Sequence, residues 1–136
     1  MQDLCDLMRG LYAAFSRGEI PVVLAAFSPD LVWHEAENFI YSEGSPYKGP
    51  EAVLTGVFAR LATEWDGFTV VPEEFIGSSD TVVVPGRYRG TYKATGVRVD
   101  AQFVHVWRFR DGQVTTFRQC TDTAQFRDAT AKAARA

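Results

Sequence analysis

The chain is poor in the residues from which most metal and redox centres are built. It has two cysteines, Cys5 and Cys120, and two histidines, His34 and His105, in 136 residues. Two isolated cysteines form neither a disulfide framework nor a zinc motif, so a reduced, cytoplasmic protein is the expectation. No apolar run approaches the ~20 residues of a membrane-crossing helix. The segment Met1-Gln2-Asp3-Leu4-Cys5-Asp6 lacks the basic start and apolar stretch of a signal peptide. Cationic residues are scattered among acidic ones at a net charge of −3, which argues against nucleic acid as the main partner. His34, Glu35 and Glu37 lie close together, but strand alternation parts the histidine from the carboxylates, so no metal is expected. Ser42-Glu43-Gly44-Ser45 lacks the lysine of a phosphate loop, and nothing else suggests a cofactor.

Aromatic residues are abundant, with ten Phe, five Tyr and three Trp. They supply buried area and commonly line ligand cavities. Leu4, Leu7, Met8, Leu11, Tyr12 and Phe15 follow helical spacing, and Gly18 ends that helix. Pro21 opens a short second helix carrying Val22, Val23, Ala26 and Phe27. A strand over residues 31–36 and a loop over 37–49 follow. Pro50 opens a third helix, striped by Val53, Leu54, Val57, Phe58, Leu61, Ala62 and Trp65. From Phe68 the pattern is that of an antiparallel meander over residues 68–77, 80–93, 97–110 and 113–121. Asp111-Gly112 is a strong two-residue hairpin signal. Pro85, Gly86 and Gly90 mark bends in the second long strand. Thr121 or Asp122 caps a last short helix, with Gln125 at its third position. The whole chain therefore reads as one α+β domain over residues 1–136. A curved antiparallel sheet is wrapped around helices and encloses a cone whose mouth is the natural ligand site.

Candidate site residues fall on the faces that strand alternation turns inward. Phe103, His105, Trp107 and Phe109 share one face of their strand. Burying an imidazole on an aromatic face requires hydrogen-bond partners. Either a neighbour such as a tyrosine hydroxyl satisfies His105, or His105 lines a ligand cavity. Glu35 shares its face with Leu31 and Trp33, and an apolar cavity would raise its pKa and make it a usable base. The alternative for Glu35 is a solvated strand end. Tyr88 and Tyr92 share a face that reaches toward the cavity, and Gln119 shares one with Phe117. Trp33, Trp107 and Phe117 form cavity wall or core.

Several stretches resemble one family. Tyr12 to Ile20 and Val23 to Trp33 are similar to the opening of the nuclear transport factor 2-like superfamily, and Ser45 to Val53 to its entry into the third helix. Phe103 to Val114 and the closing Asp122-Thr123-Ala124 resemble its SnoaL-like polyketide cyclase and ketosteroid isomerase-related branch. The resemblance implies a cone-shaped, cystatin-like domain and a homodimer formed through the sheet. It also implies a base at Glu35 and a hydrogen-bond donor at His105, where the steroid isomerases carry a neutral Asp. Their helix-one Tyr falls on Leu11, with Tyr12 ~100° round the helix, so the isomerase oxyanion hole is incomplete. In the cyclases the acid/base position falls on Asp122, which is also the candidate helix cap. Three functions stay open. One is an enzyme shifting protons on a small hydrophobic carbonyl compound, by isomerisation or aldol-type cyclisation. The others are a non-catalytic binder with the same cavity and a dimeric interaction module whose cone is packed shut. A limonene-type epoxide hydrolase ranks lower, because Arg87 has the opposite strand parity from Tyr88.

Overall fold

A computed structural model describes residues 3–131. Helix α1 (Leu4–Ser16) starts at Asp3, whose side chain accepts the Cys5 N–H at 2.9 Å. It buries Met8, Leu11, Tyr12 and Ala14 and gives way to Gly18 in the left-handed region (φ 75°). Helix α2 (Ile20–Ala25) has Pro21 in its first turn. Strand β1 (Phe27–His34) begins earlier than the hydrophobic pattern implies, with Phe27 opening the strand instead of closing the helix. It ends at His34, and the Glu35 N–H leaves the ladder to reach Ser45 Oγ at 3.0 Å.

The third helix is not uniform. It runs as α3 (Pro50–Val53), a π-helical stretch (Leu54–Phe58) and α4 (Ala59–Glu64). A Cβ on Gly56 would lie 2.3 Å from Tyr47 Cε1, so the ring of Tyr47 packs directly against helix backbone. The wider turn carries an extra residue, and it leaves Val53, Val57 and Phe58 all buried.

The remaining elements are β2 (Tyr47–Lys48), β3 (Trp65–Pro72), β4 (Ile76–Gly77), β5 (Thr81–Tyr92), β6 (Arg98–Arg110), β7 (Gln113–Thr121) and α5 (Thr123–Ala131). One sheet has the order β2-β1-β7-β6-β5-β3, with β4 also on β5. All pairs are antiparallel except β1 with β7, which lets the N-terminal strand close one flank of the cone. The strand expected over 68–77 is split. Its first part starts at Trp65, and the chain leaves the ladder after Pro72, which has no N–H to give. Asp111 and Gly112 both adopt positive φ (53° and 79°) in the tight β6–β7 turn.

Burial follows the pleat. In β6, Val99, Ala101, Phe103, His105, Trp107 and Phe109 are buried and their neighbours turn outward. Thr115 is left out of the β6–β7 register, where Arg108 faces Thr116 and Phe109 faces Val114. That bulge puts Val114 and Phe117 on the same inner face although they are three residues apart. The outer face carries Arg87 and Arg89 on Asp100 at 2.7 and 3.4 Å, exposed pairs that contribute little.

Gly86 fixes the curvature. A Cβ there would meet the Val71 carbonyl oxygen at 2.3 Å and Phe103 Cζ at 2.5 Å. Gly86→Ala is expected to destabilise the fold by ~1–3 kcal/mol through overpacking, measured by urea denaturation. A variant as stable as the parent would show that β3 and Phe103 have room to yield.

Candidate functional site

The inner faces of β1, β5, β6 and β7 meet α1 and the π-helical stretch around one aromatic cavity. Its wall includes Tyr12, Trp33, Glu35, Tyr88, His105, Trp107, Phe117 and Gln119, with Phe39, Val57 and Phe58 closing it from the helix side. Phe15, Leu61, Phe68 and Val70 are its half-buried lining residues and form its rim. The space open to the centres of water-sized molecules is about 60 Å³, room for a few waters. Rings fill most of the cone: Trp33 stacks on Phe117 at 3.7 Å between centroids, and Phe103 stacks on His105 at 4.0 Å.

His105 is both satisfied by neighbours and a cavity residue. Its Nδ1 is 2.6 Å from Tyr12 Oη and its Nε2 is 2.5 Å from Tyr88 Oη. Trp107 Nε1–H donates to Tyr12 Oη at 2.9 Å, and Gln119 Nε2–H donates to Tyr88 Oη at 2.8 Å. Burial lowers the His105 pKa to about 3, so the ring is neutral at physiological pH. The same burial pushes the Tyr12 and Tyr88 hydroxyls above their usual range. Both phenols therefore keep their protons at physiological pH and can each donate as well as accept.

Glu35 is the other polar feature. It is only 7% exposed, and neither carboxyl oxygen has a hydrogen-bond partner. Burial raises its pKa to about 8. The Trp33 indole N–H lies close enough to offset this slightly, yet makes no hydrogen bond of acceptable geometry, and Trp33 Nε1 is itself unpartnered. Glu35 also borders a more open polar pit lined by Glu37, Asn38, Ser42 and Ser45, so the carboxyl stands between dry cavity and wet surface.

Glu35, His105, Trp33, Tyr88, Trp107, Phe117 and Gln119 thus converge on one cavity. Two expected site residues do not. Tyr92 packs edge-on against Trp65, 5.0 Å between centroids, because β5 has run past the cavity by that point. Asp122 caps α5: its carboxylate accepts the Gln125 backbone N–H at 3.4 Å and the Gln125 side-chain N–H at 2.9 Å. Alignment with the family puts its helix-one tyrosine at Leu11, whereas the structure uses Tyr12, one residue on. Both residues line the cavity, and Tyr12 carries the hydrogen bond to His105. The signal was present in the stripe Met8, Leu11, Tyr12 and Phe15, which sets Tyr12 on the apolar face. His34, half-buried beside Arg118, has its pKa lowered by burial first and by that arginine second.

Helices packed on a curved sheet around an aromatic cone, with a carboxyl and an imidazole inside, match a known architecture. The model of the SnoaL-like domain family matches residues 8–117. The chain is a SnoaL-like domain. Among solved structures, a nuclear transport factor 2-like protein from Burkholderia thailandensis E264 is 32% identical, with 98% of each chain covered and a TM-score of 0.87. TerC, co-crystallised with polyporic acid, is 28% identical over 93% of this chain and 96% of its own, at a TM-score of 0.80. IdmH from Streptomyces antibioticus, a proposed polyketide cyclase, shares the fold at 21% identity and a TM-score of 0.76, covering 93% of this chain and 96% of its own. No curated protein matches the chain. In this SnoaL-like domain no described helix is long and apolar enough to cross a membrane.

Buried titratable groups make stability depend on pH. Glu35 has a folded pKa of about 8 against the 4.5 of an ordinary glutamate side chain. Its preference for the proton favours folding fully below the lower value and is lost as pH rises through the higher one. His105 is opposite: its pKa is lowered from 6.5 to about 3, so stability falls as pH drops through that window. Glu35→Gln is therefore expected to flatten the alkaline side of the stability profile and to exceed the parent in stability above pH 8, while the acid side persists. Urea denaturation across pH reads this, and an unchanged alkaline slope would place Glu35 in water.

Proposed function

We propose that this SnoaL-like domain binds a small apolar carbonyl compound in its cone and shifts a proton on it. One observation carries the reading: a carboxyl with no partner on either oxygen, buried in an aromatic wall. An unpaired buried polar group is costly to fold around and is most common where a ligand completes it. The ionised Glu35 removes a proton from the carbon beside the carbonyl. The electron pair moves to the carbonyl oxygen, which accepts a hydrogen bond from the Tyr88 hydroxyl, held in place by His105 and Gln119. Where the substrate carries a β,γ double bond, the enolate is a dienolate and the protonated Glu35 returns the proton to its γ-carbon as the double bond shifts into conjugation, which is isomerisation. Alternatively the enolate carbon attacks a second carbonyl of the substrate and the resulting alkoxide takes the proton, which is aldol-type cyclisation. The π-helical turn that sets Val57 and Phe58 in the wall fits a functional cavity, since such turns cluster at sites. The carbonyl-compound assignment also draws on IdmH being a proposed polyketide cyclase and on TerC having been co-crystallised with polyporic acid.

The narrow free volume favours one alternative, a dimeric interaction module whose cone is packed shut. Under the enzyme reading the rim residues Phe15, Leu61 and Phe68 swing aside to admit substrate. We also propose a homodimer through the outer sheet face, where Val71 and Val104 are exposed on β3 and β6, the two strands that flank β5. Val104→Asp is then expected to halve the mass seen by sedimentation.

The test is exchange of ketone α-protons in D2O, followed by NMR over a panel of small cyclic ketones. Because the base must be ionised, kcat/KM is expected to rise with pH and level off above about 8. Glu35→Gln should cost ~10²–10⁴-fold and Tyr88→Phe ~10²–10³-fold. A folded Glu35→Gln variant with unchanged exchange would remove Glu35 from the chemistry. Ligand binding with no exchange in the parent would favour a non-catalytic binder.

A further inference from the structure

The polar groups along the cavity form a chain: Trp107, Tyr12, His105, Tyr88, Gln119. Its two ends are fixed. An indole N–H can only donate, so Trp107 occupies one lone pair of Tyr12 Oη. Gln119 is oriented from behind: its Oε1 accepts the Ala36 backbone N–H at 3.2 Å, which leaves Nε2 to face Tyr88 Oη. Each phenol oxygen therefore already accepts one hydrogen bond from outside, and each meets one imidazole nitrogen.

Counting protons then leaves a remainder. A neutral imidazole has one N–H and one bare nitrogen, so two phenol hydroxyls face a single acceptor. With the proton on Nε2, Tyr12 donates to Nδ1, Nε2–H donates to Tyr88, and the Tyr88 hydroxyl proton has no partner in the chain. With the proton on Nδ1, Tyr88 donates to Nε2, Nδ1–H donates to Tyr12, and the Tyr12 hydroxyl proton is left over. The two arrangements are near mirror images, because each phenol has one external N–H donor at a similar distance.

We propose that Tyr12, His105 and Tyr88 form a tautomeric relay that presents one movable hydrogen-bond donor to the cavity, at Tyr88 in one imidazole tautomer and at Tyr12 in the other. His105 is the positioning residue in this scheme, each phenol serves the ligand in one tautomer, and the ligand group served is an oxygen with a free lone pair, a carbonyl or an enolate. The relay follows from hydrogen-bond geometry and stands whether or not Glu35 is a base.

The groups facing His105 define what biases it. Tyr12 comes from α1, Tyr88 from β5, Gln119 from β7 and Trp107 from the same strand. Helix α4 and strand β3 offer the cavity only Leu61, Phe68 and Val70. Among the described lining residues the one carboxyl is Glu35, and beyond it Glu43 is paired with Arg60. Of the two relay phenols Tyr88 is the one the Glu35 charge reaches, and a carboxylate attracts an unpaired O–H that points into the cavity they share. Ionising Glu35 draws the unpaired hydroxyl proton to the Tyr88 end and the imidazole proton to Nε2.

The experiment is two-bond ¹H–¹⁵N NMR on full-length protein labelled at histidine, with His34→Gln to assign the two rings. His105 is expected to stay neutral across the neutral range. Its Nε2–H to Nδ1–H ratio should rise about tenfold as Glu35 ionises, and this movement should vanish in Glu35→Gln. Tyr12→Phe should hold the ring as Nε2–H and Tyr88→Phe as Nδ1–H, because a buried N–H without an acceptor costs more than a bare nitrogen. The readout that a merely structural histidine would not move is the parent's tautomer ratio as Glu35 ionises, since fixed partners alone already give opposite tautomers in the two variants. The same tautomer in both, a doubly protonated ring at neutral pH, or a parent tautomer indifferent to both pH and Glu35→Gln would overturn the relay. Should either phenylalanine variant fail to fold, the parent titration against Glu35→Gln decides the matter alone.

Discussion

An imidazole in the middle of an aromatic interior is the constraint around which this fold is arranged. Neutral His105 needs one acceptor and one donor, and both must come from groups that are themselves buried. The first helix supplies Tyr12 and the longest strand pairing supplies Tyr88. Their oxygens in turn engage Trp107 and Gln119. Gln119 is tied to the Ala36 backbone, just past Glu35. One hydrogen-bonded chain thus links α1, β5, β6, β7 and the end of β1, and sliding any of these elements breaks it.

Glu35 is the counterweight. Everything else polar on the cavity floor has a partner, while this carboxyl and the neighbouring Trp33 indole N–H have none. Such groups oppose folding, and the aromatic stacking around Trp33 and Phe117 offsets that cost. The contrast between a satisfied network and an unsatisfied acid in one cavity is the pattern expected where rigidity and reactivity are divided among residues. The neighbouring polar pit gives the acid a border with water.

The fold was largely legible in the sequence because its signals are local. Alternation in residues 98–110, the Asp111-Gly112 turn and the stripe of α1 each rest on a few adjacent side chains. The misplaced features depend on contacts at long range. Phe27 joins a strand because β7 is beside it. The third helix widens where the Tyr47 ring presses on Gly56. Tyr92 was placed in the cavity by parity alone, and parity does not say where along β5 the cavity ends. Asp122 suits a helix cap and an acid alike in sequence, and only its contacts with Gln125 make it the cap.

The sequence by itself determined the α+β class, the inward face of each long strand and the aromatic face on which His105 lies, since pleat and helical period are properties of neighbouring residues. Only the tertiary structure decided that Tyr12 and Tyr88 reach opposite nitrogens of one imidazole. It alone left Glu35 without a partner, and it alone left the cone nearly full. Those outcomes depend on distances between elements far apart in the chain, which no local pattern encodes.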